Sequence, residues 1–231
     1  MAVGKDEEKM NIVYTFTHDF AEKAKPSIKS LLEHNPKAKI FIVTDGKVDL
    51  PYETIDVTEQ QWFPKDSVNY HNYFTYINLL KVCYPSLLKV NKVIHMDCDT
   101  IICDSLEPFW KTDVKGKWFA ACPEYQGHYK PFGDLYYNMG VALINLQQMR
   151  KDNIQDKLVE YLNALKQPYA DQDAWNYYAL REGKHTDIPI RFNECFCTGR
   201  TAEPAIVHYC GIPDWWDNKV MDRKDALDRY R

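Results

Sequence analysis

Apolar positions along the chain follow two alternating patterns. Short, nearly continuous apolar runs, typical of buried strands, alternate with longer stretches of helical spacing. The runs predict strands over residues 11–16, 39–44, 52–57, 93–102, 118–122, 140–144 and 205–209. The helical spacing predicts helices over residues 27–33 with Pro26 in the first turn, 74–88 with a break near Pro85, 154–165 and 173–181. This βαβα order predicts an α/β fold whose largely parallel central sheet is flanked by helices.

Chain length, charge and hydrophobicity favour a single globular domain over a nucleic-acid-binding or membrane-spanning protein. Residues 11–231 are sufficient for a single domain with a sizeable core, whereas residues 1–10 are polar and are expected to form a lead-in without a signal-peptide core. The net charge of −4 gives no reason to expect nucleic acid as a partner. No apolar run approaches the roughly 18 residues that a transmembrane segment needs. The polar, aromatic stretches 62–72 and 124–136 are predicted to be loops that either line a site or lie on the surface.

The cysteines indicate a reducing environment. The chain has seven of them, an odd number without any CxxC spacing, which argues against a disulfide framework and against a zinc site. Most are expected to be small buried thiols, and this favours a cytoplasmic location. Cys195 and Cys197, which flank one phenylalanine, are expected to pack rather than to react.

The most informative polar pair lies in the apolar run 93–102. Asp97 and Asp99 are two residues apart, so a continuous strand would project both side chains to the same side. Two neighbouring carboxylates repel each other, and a hard divalent cation such as Mg²⁺ or Mn²⁺ would compensate that charge. Ligands also gather at the carboxyl ends of strands in open α/β sheets. The pattern therefore predicts a metal site, with a solvated acidic turn as the alternative.

Three further places carry polar residues where a core pattern does not require them. Asn138 and Gly140 open a buried strand, where glycine permits close backbone approach or simply a turn. In the Asp-Gln-Asp run at residues 171–173, one acid is expected to cap the following helix, which leaves the other unexplained. His208 ends the last predicted strand, where an imidazole could complete a metal site.

The order of these motifs resembles that of glycosyltransferase family 8. The motifs are Asp97-Cys98-Asp99, Asn138-Met139-Gly140, Asp171-Gln172-Asp173 and His208-Tyr209-Cys210-Gly211. The resemblance extends over about residues 11–216 and implies a GT-A fold, which is a Rossmann-like, mostly parallel sheet flanked by helices. It also implies a Mn²⁺ (or Mg²⁺) cofactor and the transfer, with retention of configuration, of a hexose from a UDP-sugar donor. The acceptor stays open among a glycan, a lipid-linked sugar, a protein or another hydroxyl compound.

The resemblance also implies roles for individual residues at the metal, the phosphates and the uridine of the donor. Asp97, Asp99 and His208 would be the metal ligands. Lys81, on the helix before the acidic pair, would contact the donor sugar or its phosphates. Thr15, at the end of the first strand, would lie at the uridine.

The remaining implied roles concern the sugar. Asp171 would bind the hydroxyl groups of the donor sugar, and Gln172 would lie near the anomeric carbon. Asn138 would border the sugar pocket, and Gly211 of the last motif would lie at the donor. Because no carboxylate nucleophile is obvious, departure and attack on one face of the sugar are favoured over a covalent intermediate.

One position departs from the family pattern. Asp214 stands where the family usually has a lysine that contacts the diphosphate, and it reverses the charge there. This position keeps a second interpretation open, a non-catalytic module that binds nucleotide sugar or glycan on the same fold. A phosphohydrolase of the haloacid dehalogenase type also begins with a strand and two aspartates, but its usual threonine spacing and downstream acidic pair are not recognisable here.

Overall fold

The computed structural model describes residues 9–125, 132–212 and 223–230. Its strands are Asn11–Thr15 (β1), Lys39–Thr44 (β2), Glu53–Asp56 (β3), Val93–Met96 (β4), Thr100–Ile102 (β5), Phe119–Pro123 (β6), Tyr137–Ile144 (β7), His185–Asp187 (β8) and Ile206–His208 (β9). Its α-helices are Ala21–His34 (α1), Tyr84–Leu87 (α2), Glu107–Trp110 (α3), Leu146–Asp152 (α4), Ile154–Ala164 (α5), Asp171–Glu182 (α6) and Lys224–Asp228 (α7). Shorter 3₁₀ segments are His18–Phe20, Tyr76–Cys83 and Ile190–Phe192.

A central sheet organises the described part of the chain. Its strand order is β3-β2-β1-β4-β7-β6-β8. Neighbouring strands are parallel except around β7, which runs antiparallel to both β4 and β6. A separate antiparallel ribbon joins β5 to β9. The prediction of a largely parallel α/β fold is thus confirmed.

Both faces of the sheet are buried, as the apolar strand runs predict. Along β1, Val13 packs into one core cluster, while Ile12 and Tyr14 pack into the cluster on the opposite face. The 3₁₀ segment Tyr76–Cys83 and helices α5 and α6 cover the first face, and α1 and α3 cover the second. Among the described residues, no helix is long and apolar enough to cross a membrane.

Two predicted elements differ from the observed ones in a way that matters for the site. The predicted strand 93–102 is two strands, because the chain turns at residues 97–99 between β4 and β5. The predicted helix 74–88 is a 3₁₀ segment followed by the single turn α2. Pro85 has no N–H to donate to the carbonyl of Lys81, so a continuous α-helix would lose a hydrogen bond at that point.

Several other boundaries move, and some elements were not predicted. Helix α1 begins at Ala21, so Pro26 lies inside it rather than in its first turn. Ala24, Ile28 and Leu31 of this helix pack into the core at helical spacing, which favours the longer helix. Elements that the sequence patterns did not predict are the short helices α3, α4 and α7 and strand β8.

Candidate functional site

The carboxyl end of β4 brings together the three predicted metal ligands. Asp97 and Asp99 lie in the turn after β4, and the pairing of β5 with β9 sets Thr100 opposite His208. Ligand atoms of Asp97, Asp99 and His208 all lie within 4.8 Å of one another, with His208 Nε2 at 3.3 Å from Asp99 Oδ1. Strand periodicity is therefore not what brings the two acids together. The turn places them on one side.

Gly140 provides the space in which these ligands meet. The Asp97 N–H donates to the Gly140 carbonyl at 2.7 Å, so β7 passes directly beside the acidic turn. A Cβ atom at position 140 would lie 2.3 Å from His208 Cε1 and 2.7 Å from Asp97 Oδ2. Real Cβ atoms do not approach other atoms so closely, so the expected close backbone approach at this glycine is confirmed.

A buried hydrogen-bond chain fixes the orientation of Asp97. Lys81 Nζ lies 2.7 Å from Asp97 Oδ1, and His95 Nε2 lies 3.0 Å from the same oxygen. His95 Nδ1 lies 2.8 Å from the Tyr84 hydroxyl, which lies 2.6 Å from Thr15 Oγ1. Because an ionised carboxylate only accepts hydrogen bonds, His95 donates from Nε2 and accepts the Tyr84 O–H at Nδ1. Two donors thus hold Oδ1 of Asp97, and Oδ2 points to the meeting point of the ligands.

A second chain fixes the ring of His208. The Gly140 N–H donates to Asn138 Oδ1 at 3.2 Å, which identifies that atom as the oxygen of the amide. Asn193 Nδ2 then donates to Asn138 Oδ1 at 2.9 Å, so Asn193 Oδ1 faces His208 Nδ1 at 2.8 Å. His208 must carry a proton on Nδ1, and its Nε2 atom faces Asp99. Asn138 thus acts on His208 through Asn193.

Carboxylate charge dominates the electrostatics of this region. Burial lowers the pKa of His208, but the negative charge of Asp99 and the hydrogen bond to it outweigh that effect and raise the pKa well above its usual value. Burial raises the pKa of Asp97, but the ammonium group of Lys81 and the hydrogen bond from His95 bring it below its ordinary value. Lys81 is the buried cation that faces Asp97, Asp171 and Asp99. Without a bound metal ion, the ammonium group of Lys81 and a proton on His208 oppose the charge of these carboxylates.

A small cavity of about 80 Å³ lies on one side of Asp97. Lys81, Asp171, Gln172 and Gly140 line it. Asp171 is 5% exposed, and burial raises its pKa to about 7, against the opposing effect of Lys81 and with a further increase from Asp97. Gln172 Oε1 accepts the Met139 N–H at 2.9 Å, which holds the amide at the cavity wall.

The prediction that one of the two acids caps the helix is wrong, because α6 begins at Asp171 and its N-cap is Ala170, with no side-chain cap hydrogen bond. Asp173 accepts the Tyr169 N–H at 2.8 Å and the Tyr136 hydroxyl at 2.7 Å, so it stabilises the helix start. Ala170, just before the helix, has φ 48°, a left-handed conformation that costs free energy for a residue with a Cβ. This strained residue directs Asp171 into the cavity, and Asp171 is the acid without a structural role.

A larger cavity of about 380 Å³ lies on the other side of Asp97 and Asp99. Thr15, Gly211 and the exposed side chain of Tyr73 line it. Its volume lies within the range of about 300–1,000 Å³ that is usual for ligand pockets. The two cavities share Asp97 in their walls, so a ligand that spans both would pass the three predicted metal ligands.

Sequence patterns did not indicate two of the residues that shape the site. His95 lies in an apolar run and Asn193 in a loop, and each reaches the site through the fold. Alternation along β4 offers one usable signal, since His95 and Asp97 are two residues apart and share a side. Asp214, the departure from the family pattern, lies outside the described residues.

Comparisons with known proteins show what this chain is similar to in sequence and in fold. The sequence model of the family described as Glycosyl transferase family 8 matches residues 11–219. A Haemophilus influenzae protein named as a glycosyltransferase is 28% identical, in an alignment that covers 91% of this chain and 74% of that protein. General stress protein A of Bacillus subtilis is 23% identical, with 94% of this chain and 90% of that protein covered. Glycosyltransferase GlyA of Streptococcus pneumoniae is 24% identical and covers 92% of this chain, but the chain spans only 33% of GlyA.

Solved structures show the same fold. The galactosyltransferase LgtC in complex with donor and acceptor sugar analogs superposes with a TM-score of 0.73 and 22% identity, covering 96% of this chain and 94% of LgtC. The bifunctional glycosyltransferase WbbM superposes with a TM-score of 0.72 and 17% identity, covering 100% of this chain and 50% of WbbM. At these identities the likeness establishes the fold, which is GT-A.

Proposed function

The chain belongs to glycosyltransferase family 8, and from this membership we propose that it moves a hexose from a UDP-sugar to a hydroxyl acceptor with retention of configuration and with Mn²⁺ or Mg²⁺ as cofactor. The convergence of Asp97, Asp99 and His208 beside the two cavities carries this proposal. The seven free cysteines support a reducing, cytoplasmic setting for the enzyme.

The residues at the acidic turn suit a hard divalent cation. Two carboxylates and one imidazole offer oxygen and nitrogen ligands, which Mn²⁺ accepts readily. Gly140 keeps clear the volume that a Cβ would fill, and the hydrogen bond from His208 Nδ1 to Asn193 leaves Nε2 as the ligand atom. A bound cation would act as a Lewis acid that neutralises charge on the leaving diphosphate.

The two cavities divide the donor between them. We assign the uridine to the larger cavity, where Thr15 and Gly211 form part of the wall. The sugar then lies in the smaller cavity, where Asp171 meets its hydroxyl groups and Lys81 supplies a buried positive charge. Asn138 supports the cavity wall and does not contact the sugar, because the nitrogen and the oxygen of its amide both form hydrogen bonds with other protein groups.

The protein groups around the sugar support reaction on one face. Breaking the bond to the diphosphate gives the anomeric carbon positive charge, which a nearby amide oxygen stabilises. Gln172 is positioned for this role, because the Met139 N–H holds its Oε1 at the wall of the smaller cavity. Asp171 is buried and has a pKa of about 7, so it is a weaker nucleophile near neutral pH than a fully ionised carboxylate. We therefore favour departure of the diphosphate and attack by the acceptor hydroxyl on the same face.

A panel of nucleotide sugars tests the proposal. Each is incubated with the protein and Mn²⁺ or with a chelator, and release of UDP is measured with and without candidate glycan, lipid-linked and peptide acceptors. We expect metal-dependent UDP release with one UDP-hexose, its loss in Asp97→Asn, and its retention in Asp104→Asn, where the acid is exposed. Proton NMR of the product should show the anomeric configuration of the donor.

The same panel separates the two interpretations of the fold. If a UDP-sugar binds in a metal-dependent way and no acceptor or water takes the sugar, the chain is a non-catalytic binding module. A product of inverted configuration would contradict the retaining mechanism while leaving the transferase assignment in place.

A further inference from the structure

Three cysteine side chains, two from one loop and one from the turn that follows β9, meet beside the site. The Sγ atoms of Cys195, Cys197 and Cys210 all lie within 4.8 Å of one another, and those of Cys197 and Cys210 are 4.0 Å apart. We refer to these three residues as the cysteine cluster. Cys195 is 1% exposed, the other two are half-buried, and all three are free thiols.

Backbone hydrogen bonds build this cluster. The Gly199 N–H donates to the Cys195 carbonyl at 3.0 Å, so the loop doubles back and turns Cys195 and Cys197 toward each other. The loop is also tied to β9, since the Glu194 N–H donates to the Ile206 carbonyl at 3.0 Å and the His208 N–H to the Glu194 carbonyl at 2.8 Å. These bonds place Cys195 beside the turn that carries Cys210.

The spacing of the sulfur atoms fits a common metal ion. Thiolates around a tetrahedral Zn²⁺ have Zn–S bonds of about 2.3 Å, which sets the sulfur atoms about 3.8 Å apart. A disulfide needs a separation of about 2.05 Å and joins only two of the three thiols. Thiolates select soft ions over Mn²⁺ and Mg²⁺, so this cluster and the Asp97–Asp99–His208 group would take different metals.

We propose that the cysteine cluster is a second metal site, which binds a thiophilic divalent cation of the zinc class through the thiolates of Cys195, Cys197 and Cys210. Three S–H bonds give their protons to solvent as three metal–sulfur bonds form, with no change of oxidation state. Water takes the fourth position, which the half-buried side of the cluster leaves accessible. This proposal does not depend on the transferase function.

The ion would fix the wall of the larger cavity. Cys210 directly precedes Gly211 and Ile212, which line that cavity. The Cys197 carbonyl accepts the Tyr125 N–H at 3.0 Å, so the loop that carries Cys197 also contacts the chain just after β6. A metal ion at the cluster would join three segments around the site and make their arrangement more rigid.

Cobalt is a probe that distinguishes this site from the carboxylate site. Co²⁺ bound to thiolates gives intense charge-transfer absorption in the near ultraviolet, whereas Co²⁺ bound to carboxylate and imidazole does not. We expect the fully reduced, metal-free chain to develop this absorption with one equivalent of Co²⁺ and to lose it when Zn²⁺ is added. Zn²⁺ should also protect the two half-buried thiols of the cluster, Cys197 and Cys210, from maleimide, as counted by mass spectrometry.

Substitutions identify the residues that bind the cobalt. Cys197→Ser and Cys210→Ser should each abolish it, whereas Asp97→Asn should leave it unchanged. Cys103→Ser is the matched control, because this half-buried thiol lies outside the cluster, and the variant should keep the absorption. Melting curves of the metal-free variants establish folding, and a serine variant that does not fold is replaced by the alanine variant at the same position.

Two results would overturn the proposal. One is the absence of charge-transfer absorption in wild-type protein in which a thiol count shows that all seven cysteines are reduced. The other is absorption that survives in both Cys197→Ser and Cys210→Ser, since other residues would then bind the cobalt.

Discussion

Asp97 serves two purposes with its two carboxylate oxygens. Oδ1 receives Lys81 at 2.7 Å and His95 at 3.0 Å, and Oδ2 faces the ligand group around His208. Burial lowers the pKa of His95 to about 4, so the ring is neutral at physiological pH and acts as a directed donor. The position and charge of the ligand oxygen, Asp97 Oδ2, therefore depend on His95, a residue that need not contact the nucleotide sugar.

His95→Phe tests this dependence. The change leaves Asp97 Oδ1 and the Tyr84 hydroxyl each without one partner, so one of the two donors that orient the Asp97 carboxylate is lost and Lys81 remains. Substitutions that remove the partner of a metal ligand typically cost about 10–100-fold in affinity, and we expect a loss of that size in Mn²⁺-dependent UDP binding. Titration calorimetry measures it, and His95→Gln should recover part of the affinity because it restores a donor.

His185→Phe is the matched control for that experiment. His185 also pairs with a tyrosine hydroxyl, that of Tyr137 at 2.7 Å, but it lies on β8 at the far edge of the sheet. UDP binding should be unchanged in this variant. Equal affinities for wild type and a folded His95→Phe would show that His95 has only a packing role.

Asp171 gives a pH dependence of stability whose sign can be worked out. Its pKa is about 7 in the folded chain and about 3.9 when unfolded, so between these values only the folded state holds the proton. The contribution of Asp171 to the free energy of unfolding is therefore most favourable below about pH 4, and it is lost as the pH rises toward 7. Asp171→Asn mimics the neutral acid, and its stability relative to wild type should be higher at pH 8 than at pH 5.

Urea unfolding in a chelator at the two pH values measures this difference. Asp66→Asn, which removes an exposed acid from a loop, controls for the general loss of negative charge. The same relative stability of Asp171→Asn at both pH values would contradict the assignment of a buried, protonated acid.

At the scale of elements, β7 positions the site. It runs antiparallel between β4 and β6, and Gly140 lies where it passes the acidic turn. Gly140→Ala should cost about 1–3 kcal/mol of stability, the usual effect of an extra methylene in a packed interior. Because the new Cβ would push against His208 and Asp97, the variant should also lose Mn²⁺-dependent UDP binding.

Gly46→Ala is the comparison for that change. For a Cβ at position 46 the nearest atoms belong to the side chain of His18, with Cγ at 3.2 Å, and that side chain is exposed and can move. Thermal unfolding and UDP titration of both variants separate a local clash from a general effect of alanine. If Gly140→Ala bound UDP as wild type does, the ligands could not meet where the structure places them.

The sequence patterns predict continuous strands well, but they do not predict turns that interrupt an apolar run. Core strands such as β1 and β2 were found at nearly their observed bounds, because both faces are buried and the apolar runs are continuous. The turn at residues 97–99 was missed, since Thr100, Ile101 and Ile102 continue the apolar pattern after it. Their burial comes from pairing with β9, a distant segment that no local pattern can indicate.

At the scale of the whole molecule, the same reasoning applies to the site. Asp97 and Asp99 were predictable from the apolar run that contains them, and His208 from its place at the end of a strand. The resemblance to a family supplied roles for Lys81 and Asp171. His95 and Asn193 were not predictable, because a buried polar residue shows its role only through its partners. The cysteine cluster was likewise missed, since spacing rules consider neighbours in sequence and these thiols come together through the pairing of a loop with β9.

Charge across the whole site leads to the central prediction. The carboxylates of Asp97 and Asp99 and the diphosphate are all anionic, so a divalent cation between them should make each ligand bind far better in the presence of the other than alone. A ligand that binds only the folded state raises its stability, by about 2.7 kcal/mol at 100 times the dissociation constant. Cooperative binding of Mn²⁺ and UDP should therefore appear as cooperative thermal stabilisation.

The most direct test is the melting temperature with Mn²⁺ alone, with UDP alone and with both. The account predicts that the shift with both exceeds the sum of the separate shifts in wild type and in Asp104→Asn. Asp97→Asn and Asp99→Asn should fold and lose the excess. An excess of wild-type size in folded Asp97→Asn and Asp99→Asn would contradict the account, because the metal and the diphosphate would then meet somewhere else.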